Sequence, residues 1–209
     1  MADRMAMAIE ERRDFADFLA TLTVEQWAAP TLCEGWNVQH VVAHVISYEG
    51  IGLPVLAGSF VRAAFRPGRV NDLRLRAVVG KSPCELVAFL RGHLRPHGLT
   101  AGFGGGIGLS DCLIHHQDIR RPLGLPRLVP PERVRESLDI ALRAPVLPAK
   151  ANAKGLTIRA DDLDWTQGDG PEVNGPGESL LLALTGRSAA VDELTGPGLD
   201  TLRSRSRTR

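Results

Sequence analysis

The chain has 209 residues, 44% of them hydrophobic, enough for one medium domain or a domain with a smaller appendage. With 25 Lys and Arg against 24 Asp and Glu, its formal net charge of +1 offers no general field for nucleic acid or an anionic membrane surface. Cys33, Cys84 and Cys112 lie far apart, their odd count closes no disulfide framework, and no apolar run nears the roughly 18 to 20 residues of a membrane span; these features predict a cytoplasmic protein.

Residues 4 to 22 set Met5, Ile9, Phe15, Phe18, Leu19 and Leu22 at mostly three- and four-residue intervals, which predicts an amphipathic helix. Thr23-Val-Glu-Gln26 is a capping-box pattern for a short second helix that Pro30 ends. After the loop PTLCEGW, Asn37 caps a helix whose stripe is Val38, Val41, Val42, Val45 and Ile46, with Gly50, Gly52 and Pro54 terminating or kinking it. A further helical stretch covers about residues 69 to 79. Ser82-Pro-Cys-Glu85 combines a capping box with Pro at the first helical position and predicts a helix to about Leu94.

Residues 95 to 108, RPHGLTAGFGGGIG, read as a flexible loop and not as a phosphate cradle, since no strand precedes them and no Lys-Ser/Thr follows. SDCLIHHQDIRRPLG, residues 110 to 124, is patterned as a helix that stops at Pro122 and Gly124. Pro130-Pro131-Glu132 starts another helix, with Val134, Leu138, Ala141 and Leu142 inward, ending near Pro145. Beyond PAKANAKG, LTIRA alternates like a strand and GESLLLALTGR reads as a buried helix. The expectation is a mainly α chain: a helical domain over 1–148, a small α/β domain over 155–203 and a disordered basic tail over 204–209.

The chemistry concentrates in SDCLIHHQD. On a helix Asp111 and His115 stand one turn apart on one face, with Asp118 about one turn further on and His116 pointing away toward the outside. A carboxylate and an imidazole at i and i+4 can converge on one divalent cation, and a third ligand has to come from a neighbouring helix. His44, inside a valine-rich helix, is the favoured donor; His40 is a turn earlier, where solvent contact is expected. The plain alternatives stand beside this. Asp111 and His115 can form a simple surface pair, His44 can be a hydrogen-bonded core histidine, and Asp118 can orient a ligand imidazole or merely end the helix. His93 and His97 flank Pro96 and read as exposed, Cys112 as buried and inert, Trp36 as a core anchor, and Arg120 and Arg121 as solvated.

LCEGWNVQHVVAHV followed by DCLIHHQDIRRPLGLP resembles the mycothiol-dependent maleylpyruvate isomerase family within the DinB-like superfamily. The N-terminal ERRDFADFLATLTVEQWAAPTLCEGW and the C-terminal GLTIRADDLDWTQGDGPEVNGPGESLLLALTGR resemble its actinobacterial branch. The resemblance implies a DinB-like four-helix bundle that holds a divalent metal, usually zinc, through His44, Asp111 and His115. It also implies departures: the family usually has Glu at the position of Asp111 and often a small residue at that of His116, and its C-terminal part is longer.

Three ligands leave an open position where a low-molecular-weight thiol, mycothiol by the resemblance, would lose its proton and attack a small electrophile. Release after bond rotation gives an isomerase; retention gives an S-transferase. Tyr48, Asp118 and Arg121 are the catalytic candidates, the first two for pocket polarity or proton handling and Arg121 for a substrate carboxylate. The rivals are a non-catalytic metal-binding or thiol-sensing module and a metal-free bundle. A monomer or homodimer without nucleic-acid or membrane partners is expected.

Overall fold

Asp3 opens the first helix by accepting the Ala6 N–H at 3.0 Å, and α1 (Arg4–Leu19) buries Ala8, Phe15, Ala16, Phe18 and Leu19. A computed structural model describes residues 3–49, 53–62, 70, 73–75, 78 and 80–206. Both halves of the Thr23–Gln26 capping box form, at 2.9 and 3.3 Å, and α2 (Val24–Ala28) stops two residues before Pro30. Asn37 caps α3 (Val38–Ile46) through the His40 N–H at 2.9 Å, and all five residues of the valine-isoleucine stripe are buried.

The helix α3 ends at Ile46, ahead of the glycines; Gly50 and Gly52 lie outside the described residues. Pro54 is the second residue of α4 (Leu53–Arg62), so it opens a helix where the sequence reading had it end one, and an early proline loses no intrahelical bond there. Most of the stretch at 69 to 79 also lies outside the described residues, although Val70 and residues 73–75 are helical. The Ser82–Glu85 box and Pro83 start α5 (Pro83–Gly92), which ends two residues short of Leu94 because His93 leaves helical geometry at φ −129°.

The glycine segment corrects the loop expected over 95 to 108. It holds a 3-10 turn, Gly98–Ala101, and the start of α6 (Gly106–Arg120). Its glycines serve close approach. A Cβ on Gly108 would sit 2.9 Å from Pro96 Cγ, and one on Gly105, at φ +96°, would sit 2.9 Å from Met5 Cα.

Helices α1, α3, α5 and α6 pack as a four-helix bundle, each against two of the others. Phe15, Leu19, Trp27, Val42, Ile46, Leu86, Leu90, Cys112 and Ile119 fill its core. Two buried polar networks cross it. Arg12 bonds Glu49 at 2.6 Å and the His93 carbonyl at 2.9 Å, while Thr100 donates to the same Glu49 carboxylate. Glu11 and His116 form the second.

The chain divides into two compact units, Met1–Pro126 and Arg127–Arg209. This moves the expected boundary of 148 to 155 back to residue 126. The cause is α7 (Pro131–Arg143), whose Val134, Leu138, Ile140 and Ala141 are buried and which packs on α9 (Gly177–Leu184), a helix of the second unit. In that unit β1 (Thr157–Ala160) lies between β2 (Thr166–Gln167), antiparallel, and β3 (Glu172–Gly175), parallel with Ile158 opposite Val173. A short helix, α8 (Ala149–Asn152), precedes the sheet and α10 (Leu199–Ser206) closes the unit. Residues 204–206, expected in a disordered tail, are helical, and Ser206 is buried with its hydroxyl on the Leu202 carbonyl at 3.1 Å. Among the described residues no helix is long and apolar enough to cross a membrane.

Candidate metal centre

Packing of α3 against α6 brings His44 to Asp111 and His115. Asp111 Oδ1 lies 3.8 Å from His44 Nε2 and 3.6 Å from His115 Nε2, and one donor atom from each of the three residues falls within 4.8 Å of the others. The two imidazoles stand edge to face, 5.0 Å between centroids. These separations exceed the 2.7–3.2 Å of an N–H···O hydrogen bond. A tetrahedral cation with ligand bonds of about 2.0–2.2 Å sets neighbouring donors about 3.3–3.6 Å apart; the His115–Asp111 separation falls at the top of that range and the His44–Asp111 separation just above it. Both histidines are only 8% exposed, whereas the Asp111 side chain is 30% exposed, so the trio is open to solvent on the Asp111 side. The residues therefore fit a divalent metal, with Asp111, one methylene shorter than glutamate, bringing an oxygen to 3.6 and 3.8 Å from the two imidazole nitrogens.

Behind His115 the helix supplies an orienting acid. Asp118 is fully buried, and its Oδ2 accepts from His115 Nδ1 at 2.8 Å. That bond holds a proton on Nδ1 and aims Nε2 toward Asp111 and His44, the orientation in which a metal-ligating histidine is usually held. Cys33, from the loop before α3, donates its S–H to the same Asp118 oxygen at 3.1 Å and lies 3.7 Å from His115 Nδ1. Burial pulls the His115 pKa down, but the bonds to Asp118 and Cys33 and the charge of Asp111 outweigh it and hold the ring at about 10.

Trp36 and Tyr48 flank His44, with ring centroids at 5.2 and 6.2 Å. Burial, then the Asp111 charge, push the Tyr48 phenol up to about 12, with Arg74 pulling the other way. Arg74 donates through Nε and Nη2 to the Ser47 carbonyl at 3.0 and 2.7 Å. Trp36 also packs against the bundle core, as an anchor should.

Other expectations change. His116 does not face outward: it is fully buried between α1 and α6, with Nδ1 on Glu11 at 3.0 Å, Nε2 accepting from Arg120 at 2.8 Å, and Phe15 and Phe18 against its ring at 4.8 and 5.2 Å. Arg120 is not simply solvated, because its guanidinium also covers Phe18 at 3.8 Å and donates to the Leu125 carbonyl. Arg121 is the C-cap of α6, half-buried and six residues, hence about 9 Å along the axis, past His115. His93 is half-buried and stacked on Phe89 at 4.1 Å, while His97 is exposed. His40 enters neither of the two three-donor groups found among the described residues. Cys112 is buried in the core, as expected. Cys33 and Arg74 were not singled out from sequence; the signal for Cys33 was its place in the LCEGW loop, directly ahead of α3.

Residues 9–96 match the family model described as the mycothiol maleylpyruvate isomerase N-terminal domain. That span contains Cys33, Trp36 and His44 and ends before Asp111. A solved structure of the mycothiol-dependent maleylpyruvate isomerase aligns over 93% of this chain and 91% of its own, at 14% identity and a TM-score of 0.53. A histidine-to-alanine mutant of that isomerase aligns over the same shares at 15% identity and a TM-score of 0.54. At such identities the likeness is one of fold, and it covers both the bundle and the α/β appendage. Comparison with curated protein sequences gives no match.

Proposed function

We propose, from the premise that residues 9–96 form a mycothiol maleylpyruvate isomerase N-terminal domain, that this protein is a cytoplasmic, divalent-metal-dependent enzyme of low-molecular-weight thiols. Mycothiol is the proposed thiol. Its thiolate attacks a small electrophile, giving isomerisation when it leaves after bond rotation and S-transfer when it stays. The observation that supports this best is the meeting of His44, Asp111 and His115 at ligand separations, from two helices, with a buried carboxylate behind one imidazole.

His44, Asp111 and His115 would hold the cation, and two imidazoles with one carboxylate favour zinc. When bound, such an ion supplies the positive charge that stabilises the thiolate form of a thiol. The chain's own groups do the rest. Asp118 keeps the His115 proton on Nδ1, leaving Nε2 to face the ion. Tyr48, with its phenol pushed up to about 12, stays protonated at neutral pH and is an O–H donor beside His44 for a substrate oxygen or a newly basic carbon. Trp36 packs its ring beside His44 and covers part of the imidazole. Arg121, at the far end of α6, suits the carboxylate of an extended acidic substrate.

The test is a thiol-transfer assay with mycothiol and a small electrophile on zinc-loaded protein. Turnover lost in His115→Ala and reduced in Tyr48→Phe supports the reading. Full metal content without turnover toward any conjugated alkene or alkylating electrophile would leave a binding module instead.

A further inference from the structure

We infer that Cys33 is a positioning residue for the metal-facing side of His115, acting through Asp118; the inference rests on the metal reading above. The loop carrying Cys33 is built to deliver its sulfur to one place. Thr31 N and Oγ1 both donate to the Trp36 carbonyl, at 3.2 and 2.9 Å, Cys33 N donates to Thr31 Oγ1 at 3.2 Å, and Gly35 supplies the positive φ of +76° that closes the turn. The same loop is tied to α6 by Leu32 N on the Asp118 carbonyl at 3.0 Å. Backbone and side chain of Asp118 are thus both gripped by residues 32 and 33.

The sulfur is the second donor to the oxygen that holds His115. Asp118 Oδ2 receives the His115 Nδ1–H at 2.8 Å and the Cys33 S–H at 3.1 Å. Cys33, His115 and Asp118 also form a three-donor group of their own, yet the two separations to Asp118 Oδ2, 2.8 and 3.1 Å, are too short for ligands of a second cation. Tetrahedral ligands with a thiolate bond of about 2.3 Å stand about 3.3–3.6 Å apart, whereas 2.8 Å is a hydrogen bond. The thiol therefore acts as a donor, not a ligand. A second donor on Oδ2 adds a restraint on the carboxylate plane; removing the thiol takes that restraint away and weakens the alignment of the imidazole toward Asp111 and His44.

The test uses Co²⁺ and Zn²⁺ binding to the full chain as wild type, Cys33→Ala and Cys33→Ser, with chelator competition for affinity and absorption spectra for ligand type. Wild type is expected to bind Co²⁺ without a thiolate-to-cobalt charge-transfer band. Cys33→Ala should bind about tenfold more weakly, the lower end of the effect of an outer partner, and Cys33→Ser, which restores a donor, should recover wild-type affinity. A charge-transfer band that disappears in Cys33→Ser would make Cys33 a direct ligand and overturn the inference. So would Cys33→Ala binding as tightly as wild type, or Cys33→Ser binding as weakly as Cys33→Ala, which would mean packing by sulfur alone. Denaturant unfolding of the metal-free variants separates a folding defect from a binding one. Wild type taking up neither ion would overturn the metal reading itself, and this role with it.

Discussion

Loading the proposed centre has to displace a proton from His115, and the structure sets how many. With its pKa held at about 10 by Asp118, Cys33 and Asp111 against burial, the metal-free ring is protonated at pH 7. Binding at pH 7.5 should then release about one proton from this residue, and apparent affinity should rise about tenfold per pH unit up to about pH 9. An imidazole at its ordinary value near 6.5 would release only about 0.1 proton at pH 7.5. Titration calorimetry of Zn²⁺ into metal-free protein, in two buffers of different ionisation enthalpy, counts these protons. In Asp118→Asn the first of the groups that raise the pKa loses its charge, so the count should fall well below the wild-type value. A proton count that is near zero in wild type, or unchanged by Asp118→Asn, would refute the assignment of His115 as the ligand steered by Asp118.

Two further outcomes follow from the same network and its neighbour. In metal-free protein the folded pKa of His115 is raised above its unfolded value, so its contribution to stability is fully present below about pH 6.5 and is lost as pH rises through about 10; denaturant midpoints of chelator-treated protein should fall over that window, less in Asp118→Asn. His116→Ala should cost about 3 kcal/mol, because it leaves the fully buried Glu11 carboxylate without its imidazole donor. Urea unfolding measures that cost, and metal analysis of the folded protein should show the centre intact.

The bundle was legible where local rules act alone. Both capping boxes, the Asn37 cap and the valine stripe of α3 need only the residues beside them. The meeting of His44, Asp111 and His115 was legible for the same reason: Asp111 and His115 are set on one face by helical period, and His44 stood out as an imidazole on a buried helix.

What was missed depends on partners far along the chain. Nearly every position of α6 from Leu109 to Ile119 is buried, so polarity cannot mark a solvent side, and His116 read as outward although Glu11, 105 residues earlier, receives it. Cys33 meets Asp118 across 85 residues from an aperiodic loop. Gly105 and Gly108 read as breakers because sequence gives no sign of the backbones of Met5 and Thr100 that come against them. The boundary expected at 148 to 155 followed the change of pattern beyond PAKANAKG, yet α7 before it buries its apolar face on α9.

The most direct test of the central claim is the zinc content of protein purified without a histidine tag, measured by mass spectrometry beside His44→Ala. About one ion per chain is expected in wild type and a loss of most of it in the variant, with the helical circular dichroism retained. A folded His44→Ala that keeps its full zinc would contradict the meeting of three side chains around one ion.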